Sequence, residues 1–145
     1  MRKLAKQRGQ TLLELIISIG VVVFVMLGLV VAVTSSLRFS QASRNRSRAV
    51  KYAQEAIEMT RQIRDTSPWD TFLGYTGSTS KSWCLSKEGV WTPVDGTCVP
   101  LDGIFTRTVD LTWNDPIVVV GVDVSWQDGS RVLHSQLDTY LTQWK

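Results

Sequence analysis

From Leu15 to Val33 the chain runs for nineteen residues, LIISIGVVVFVMLGLVVAV, without a charged side chain. At 1.5 Å rise per residue, a helix of that length covers about 28 Å, close to the ~30 Å hydrocarbon core of a bilayer. The segment is long enough to span a membrane. A chain of 145 residues then leaves room for one domain beside it and not two.

The one carboxylate near this run is Glu14, a single step upstream of it. An ionised carboxylate inside an apolar helix costs about 2.5 kcal/mol or more on insertion scales, so such residues face a positive partner rather than lipid. Downstream the nearest cation is Arg38, far out of reach. Upstream lies a short basic leader, MRKLAKQRG. A cut after Gly9 would place a new α-amino group on Gln10, four residues before Glu14. The same amine on a neighbouring copy could serve between chains.

Basic residues, Gly9, one further residue, then Thr11, Leu12, Leu13, Glu14 and an apolar helix resemble the class III signal of type IV pilins and pseudopilins. The resemblance implies that prepilin peptidase cuts between Gly9 and Gln10, with Gln10 then N-methylated. It further implies that Glu14, with Thr11, Leu12 and Leu13 around it, serves assembly by pairing with the amino terminus of a neighbour. Two features depart from the common pattern. Gln10 stands where family members usually carry Phe or Met, and the membrane half has no Pro, leaving Gly20 and Gly28 as its only weak points. The Pro-free membrane half favours the minor pilin or minor pseudopilin branch.

An ordinary secretory signal is the plainer alternative, but its apolar core is about 7–15 residues and ends at a small-residue cleavage site. This run is longer and no such site closes it; an uncleaved signal anchor is the remaining alternative. Charge does not orient the helix, because Arg38, Arg44, Arg46, Arg48 and Lys51 balance the basic leader. The resemblance implies a cytoplasmic leader with the rest of the chain outside. Four of the sixteen basic residues lie in the leader, so its loss leaves twelve against thirteen acidic ones and turns a net charge of +3 into −1. The basic pI therefore argues nothing about nucleic acid.

The chain divides as a leader at 1–9, a membrane and filament-core helix at 10–33, an amphipathic continuation at 34–65, a loop region at 66–103 and a β region at 104–145. Between Thr34 and Asp65 there is neither Pro nor Gly, and nothing stops the helix before Pro68. Phe39, Ala42, Ala49, Ala53, Ala56, Ile57, Thr60 and Ile63 recur at helical spacing and form its buried stripe. Lys51 with Glu55, and Arg61 with Asp65, stand at i,i+4 as expected ion pairs. Arg44, Arg48 and Lys51 share a face and read as a solvated or headgroup-proximal flank. With Phe39 and Tyr52 the only nearby aromatics, nucleic acid is not an expected partner.

Residues 66–103 are too many for a structureless connection in a compact domain and predict short strands or a hairpin. Cys84 and Cys98 lie within this stretch. In an extracytoplasmic chain they read as one disulfide, whereas a metal site needs more ligands and only His134 is at hand. Phe105, Arg107, Val109, Leu111 and Trp113 alternate with Thr106, Thr108, Asp110 and Thr112; Val118, Val120, Val122, Val124 and Trp126 share one face of a second strand, and Leu133, Leu137 and Leu141 one face of a third. Asp128-Gly129 marks a hairpin between the last two runs. The expected fold is α+β: a long N-terminal helix packed against a small C-terminal antiparallel sheet, as the pilin resemblance also implies.

No nucleophile, base and orienting group come together in the sequence, and no cofactor or metal motif is present. The six Trp residues are read as core rather than as a carbohydrate platform. The expectation is a non-enzymatic, disulfide-bonded minor subunit of a type IV pilus or pilus-like filament. Its partners would be other pilins or pseudopilins through helix bundling, prepilin peptidase, the inner-membrane assembly platform, and membrane lipid before assembly. A type II secretion pseudopilin is the alternative within the family. Outside it stands a signal-anchored ectodomain that binds a surface ligand or DNA.

Overall fold

The computed structural model describes residues 7–77 and 79–143, with side chains from Leu12 among the helical residues. The element order is α1 (Gln7–Thr66), α2 (Trp69–Leu73), β1 (Lys81–Leu85), β2 (Trp91–Pro93), β3 (Phe105–Asn114), β4 (Ile117–Asp128) and β5 (Arg131–Thr142). The chain forms two compact units that divide between Ala42 and Ser43.

The first unit contains the apolar part of α1. Every side chain from Leu12 to Gln41 is exposed, and α1 is long and apolar enough to cross a membrane. Its few hydroxyls bond within the helix: Ser18 Oγ donates to the Glu14 carbonyl (2.7 Å), and Thr34 Oγ1 to Val30 (3.0 Å). Such back-bonding satisfies a hydroxyl that would otherwise cost several kcal/mol in a medium without water.

In the second unit, the C-terminal stretch of α1 covers one face of a five-stranded antiparallel sheet of order β2-β1-β3-β4-β5. Ala49, Ala53, Ala56 and Thr60 lie three and four apart and are fully buried. Three have side chains no larger than a methyl, so the helix backbone can sit close to the sheet. Thr60 keeps its hydroxyl satisfied by donating to the Ala56 carbonyl at 2.7 Å. Opposite stand Phe105, Val109 and Leu111 of β3, Val118, Val120, Val122, Val124 and Trp126 of β4, and Leu141 of β5. Each buried Val or Leu contributes about 1.5–3 kcal/mol relative to exposure. Phe39, expected on the stripe, is exposed, because the covered part of α1 starts later and Ala49 is its first fully buried residue.

Where α1 ends, Ser67 N–H still bonds the Ile63 carbonyl (3.0 Å), and Pro68 then takes φ −54° and ψ 144°. The expected stop at Pro68 is where the helix ends. The loop region holds more structure than a single hairpin. α2 buries Phe72, and β1 pairs with β3 in the register Lys81↔Leu111 through Cys84↔Thr108. The sheet therefore begins at Lys81 rather than at residue 104. KSWCL is too short for period-two alternation to have announced it.

The β4–β5 hairpin closes through Gly129 and Ser130, with Asp128 paired to Arg131. Gly129 has φ +61° and Ser130 is not in the left-handed region, the arrangement of a II′ turn with Gly at its first central position. The turn thus sits one residue later than Asp128-Gly129. At the other end of β4, Asp115 and a cis Pro116 make the connection from β3.

Candidate functional site

Two regions carry the features that bear on function: the start of α1 and the corner where α1 meets the β1–β2 loop. At the start, Gly9, Gln10, Thr11, Leu12, Leu13 and Glu14 all lie in α1. The side chains of Gln10 and Thr11 are outside the described residues, as is the leader from Met1 to Lys6. Leu12 and Leu13 are about three-fifths exposed, at 62% and 61%, and Glu14 is exposed as well. Among the described residues Glu14 has no cationic partner. Gln10 and Glu14 are one helical turn apart, so a positive group at Gln10 would lie on the Glu14 side of the helix.

At the corner, the organising residue is Arg107. It stands in β3 at a position facing the core, with 0% exposure. A buried guanidinium is tolerable only with partners for its five N–H groups. Nε donates to the Leu85 carbonyl (3.1 Å), one terminal nitrogen to the Ser86 carbonyl (2.5 Å), and the other to the Tyr52 carbonyl (3.1 Å). That last nitrogen also lies 3.5 Å from Glu55 Oε2. One side chain thereby ties α1 to the end of β1. Burial pulls its pKa down from the ordinary arginine value, and Glu55 partly opposes this. Glu55 thus takes its charge partner from the sheet rather than from Lys51. Elsewhere on the helix Arg61 pairs with Glu58 (2.6 Å) and Arg64 with Asp65 (2.7 Å).

A second tie runs through Asp102. The tight turn Leu101–Phe105 puts Asp102 at φ +46° and Gly103 at φ +77°, a conformation that Asp tolerates better than most side chains. From there its carboxylate accepts from the Tyr52 hydroxyl and pairs with Lys87 at 3.0 Å. The bond from Tyr52, with Lys87 second, holds the Asp102 carboxyl below its usual range. The same bond, and then burial, raises the Tyr52 phenol. Bonding to Asp102 likewise raises Lys87. Arg48, Lys51, Tyr52, Glu55, Lys87 and Asp102 line an open groove of about 460 Å³. Arg44 and Arg46 are exposed on the same helix.

A disulfide joins Cys84 and Cys98, with Cα atoms 5.3 Å apart. It staples the β1–β2 hairpin that Arg107 and Asp102 also hold. The half-buried tryptophans pack with other aromatics: Trp69 against Phe72 and Trp113 at 5.5 and 5.8 Å, and Tyr75 against Trp83 and Trp91 at 5.6 and 5.8 Å. The rings meet edge-on or tilted rather than being laid out as a stacking platform; Trp144 lies outside the described residues. His134, too far from Asp138 along its own strand, meets Asp123 of β4 at 3.0 Å. In the hairpin register His134 stands opposite Ser125, which leaves Asp123 as its diagonal neighbour on the same face. No sequence signal marks Arg107 as buried beyond its place in the apolar alternation. Asp102 had none.

These features define a class: an apolar helix able to cross a membrane, the only such helix among the described residues, continued in sequence into a small α+β head. Residues 4–30 match the model of the prokaryotic N-terminal methylation motif, which is typical of type IV prepilin-like proteins. That motif implies processing by prepilin peptidase and assembly with other pilins, and its carriers are structural rather than catalytic. No curated protein and no solved structure matches the chain.

Proposed function

We propose that the chain is a minor structural subunit of a type IV pilus or pilus-like filament. In this reading prepilin peptidase cuts between Gly9 and Gln10, Gln10 is N-methylated, and Glu14 sets register by pairing with the amino terminus of a neighbour. The observation that carries it is the methylation motif at residues 4–30 leading into a helix whose side chains from Leu12 to Gln41 are all exposed. Lipid covers that surface before assembly, and other pilin helices replace the lipid in the filament. The head is extracytoplasmic in both states, where a disulfide persists. The Pro-free membrane half supports the minor rather than the bulk role, and the disulfide-bracketed loop supports a pilus over a secretion pseudopilus.

The test is intact-mass and N-terminal peptide mass spectrometry on protein from its native membrane fraction. A chain beginning at methylated Gln10 is the expected result. A chain still beginning at Met1, in cells with active prepilin peptidase, would replace this reading with that of an uncleaved anchor.

A further inference from the structure

The two edges of the sheet are treated very differently. Natural sheets blunt their edges with short strands, proline, bulges or cover, because a bare edge is a template for another strand. At one edge β2 has three residues and ends in Pro93. At the other, β5 has twelve residues and pairs with β4 without a bulge from Arg131 to Thr142. It contains neither Pro nor Gly. At its far end an Arg64 guanidinium nitrogen reaches the Thr142 carbonyl at 3.4 Å.

A trough of about 230 Å³ runs beside this edge, lined by Gln54, Ile57, Glu58 and Arg61 of α1 and by Leu137, Asp138 and Thr139. The four helix residues stand at i, i+3, i+4 and i+7, so one stripe of α1 overhangs the strand. Its floor is apolar, from Ile57 and Leu137, and its rim is the Glu58–Arg61 pair. On the opposite face of the sheet Asp138 extends across Gly121, where an added Cβ would stand 3.2 Å from its Oδ1. Among the described residues no cation pairs with Asp138.

We infer that β5 is the acceptor edge for an extended strand donated by a different subunit of the same assembly, one bearing an apolar side chain opposite Leu137 and a Lys or Arg next to it, opposite Asp138. This rests on the reading of the chain as a filament subunit. Adjacent residues of a strand point to opposite faces. The apolar side chain therefore enters the trough under α1 while its neighbour meets the unpaired carboxylate outside. Main-chain bonds to the edge supply affinity, and the trough and Asp138 supply selection. A second copy offering its own β5 in antiparallel fashion fits less well. Paired strands set residues of the same face opposite one another, and the one Lys or Arg of β5, Arg131, lies on the other face from Asp138, so a second β5 would bring no such cation to that carboxylate.

Hydrogen exchange on the full chain, in detergent micelles and in filaments sheared from cells, tests this. Half of the β5 amides already bond to β4; strand addition protects the alternate set. Those outward amides between Leu133 and Thr139 are expected to exchange rapidly in micelles and at least about tenfold more slowly in filaments. Asp138→Lys should leave micellar exchange unchanged yet reduce incorporation several-fold. Filaments that contain the chain but leave these amides as fast as in micelles would overturn the strand donor alone. Protection that appears in micelles and grows with protein concentration would make the partner a second copy and overturn it too. Failure to recover the chain in any filament would remove the subunit reading itself, and the donor with it.

Discussion

The apolar part of α1 and the head put hydrophobic sequence to opposite use. In the head, Val, Leu and Ala alternate with polar residues at strand or helix spacing, so one face of each element is hidden and the unit completes its own core. Between Leu12 and Gln41 the apolar residues occupy every side of the helix and none is buried; Phe24 is 79% exposed and Val31 67%. A helix that is apolar all round has no interior of its own to face. The head carries its folding partner within the chain, and the N-terminal helix must find its partner outside it.

The sharpest way to break that contrast is Glu14→Ala. This substitution touches only the externally satisfied unit, so incorporation into the filament should fall to near background. Cleavage at Gly9 and the thermal unfolding of the head, followed by near-ultraviolet circular dichroism in micelles, should remain as in the wild type. Normal incorporation of the variant would remove charge pairing as the register device.

The largest effect within the head belongs to Arg107→Met. Removing the guanidinium deletes its bonds to the Leu85, Tyr52 and Ser86 carbonyls, and each hydrogen bond from a charged group contributes about 1.5–3 kcal/mol. Denaturant unfolding of the full chain in micelles should show that loss, while membrane anchoring stays intact. Next comes the disulfide. Replacing Cys84 and Cys98 with Ser should cost about 3 kcal/mol in the chain-entropy model, for a loop of 14 residues' separation. A disulfide-free variant as stable as the wild type would mean that Arg107 and Asp102 alone fix the β1–β2 hairpin.

What could be read from sequence follows the same division. The N-terminal unit is legible because its signal is continuous: an uncharged run, one carboxylate and a basic leader need no tertiary context. The long β3–β5 strands are legible because period-two alternation over ten or more residues is hard to mistake. β1, β2 and α2 are three to five residues long, too short for any period to show. Tyr52, Lys87, Asp102 and Arg107 form ties across 15 to 55 residues of sequence. Nothing local in the chain records such a meeting, and the helix-only pairing of Lys51 with Glu55 was the wrong inference for that reason.

The pH response offers a finer test of the head. Asp102 has a folded pKa below its unfolded value, so its contribution is present above the unfolded value and is lost as pH falls through the folded one. Tyr52 and Lys87 are shifted upward; their contributions are present below their unfolded values and are lost as pH rises through the folded ones. The tie should therefore weaken at both extremes, in acid below the usual carboxylate range and in alkali above about pH 10. Tyr52→Phe removes the hydroxyl but keeps the ring, which packs edge-on to Phe105 at 5.4 Å. Its expected cost at neutral pH is smaller than that of either variant above, because the bond is solvent-exposed. Its diagnostic mark is the shape of the profile: the Tm of the variant should fall less steeply than that of the wild type between pH 9 and 11. Parallel curves would mean that the Tyr52–Asp102 contact does not titrate with folding, leaving Arg107 as the tie that holds this corner to α1.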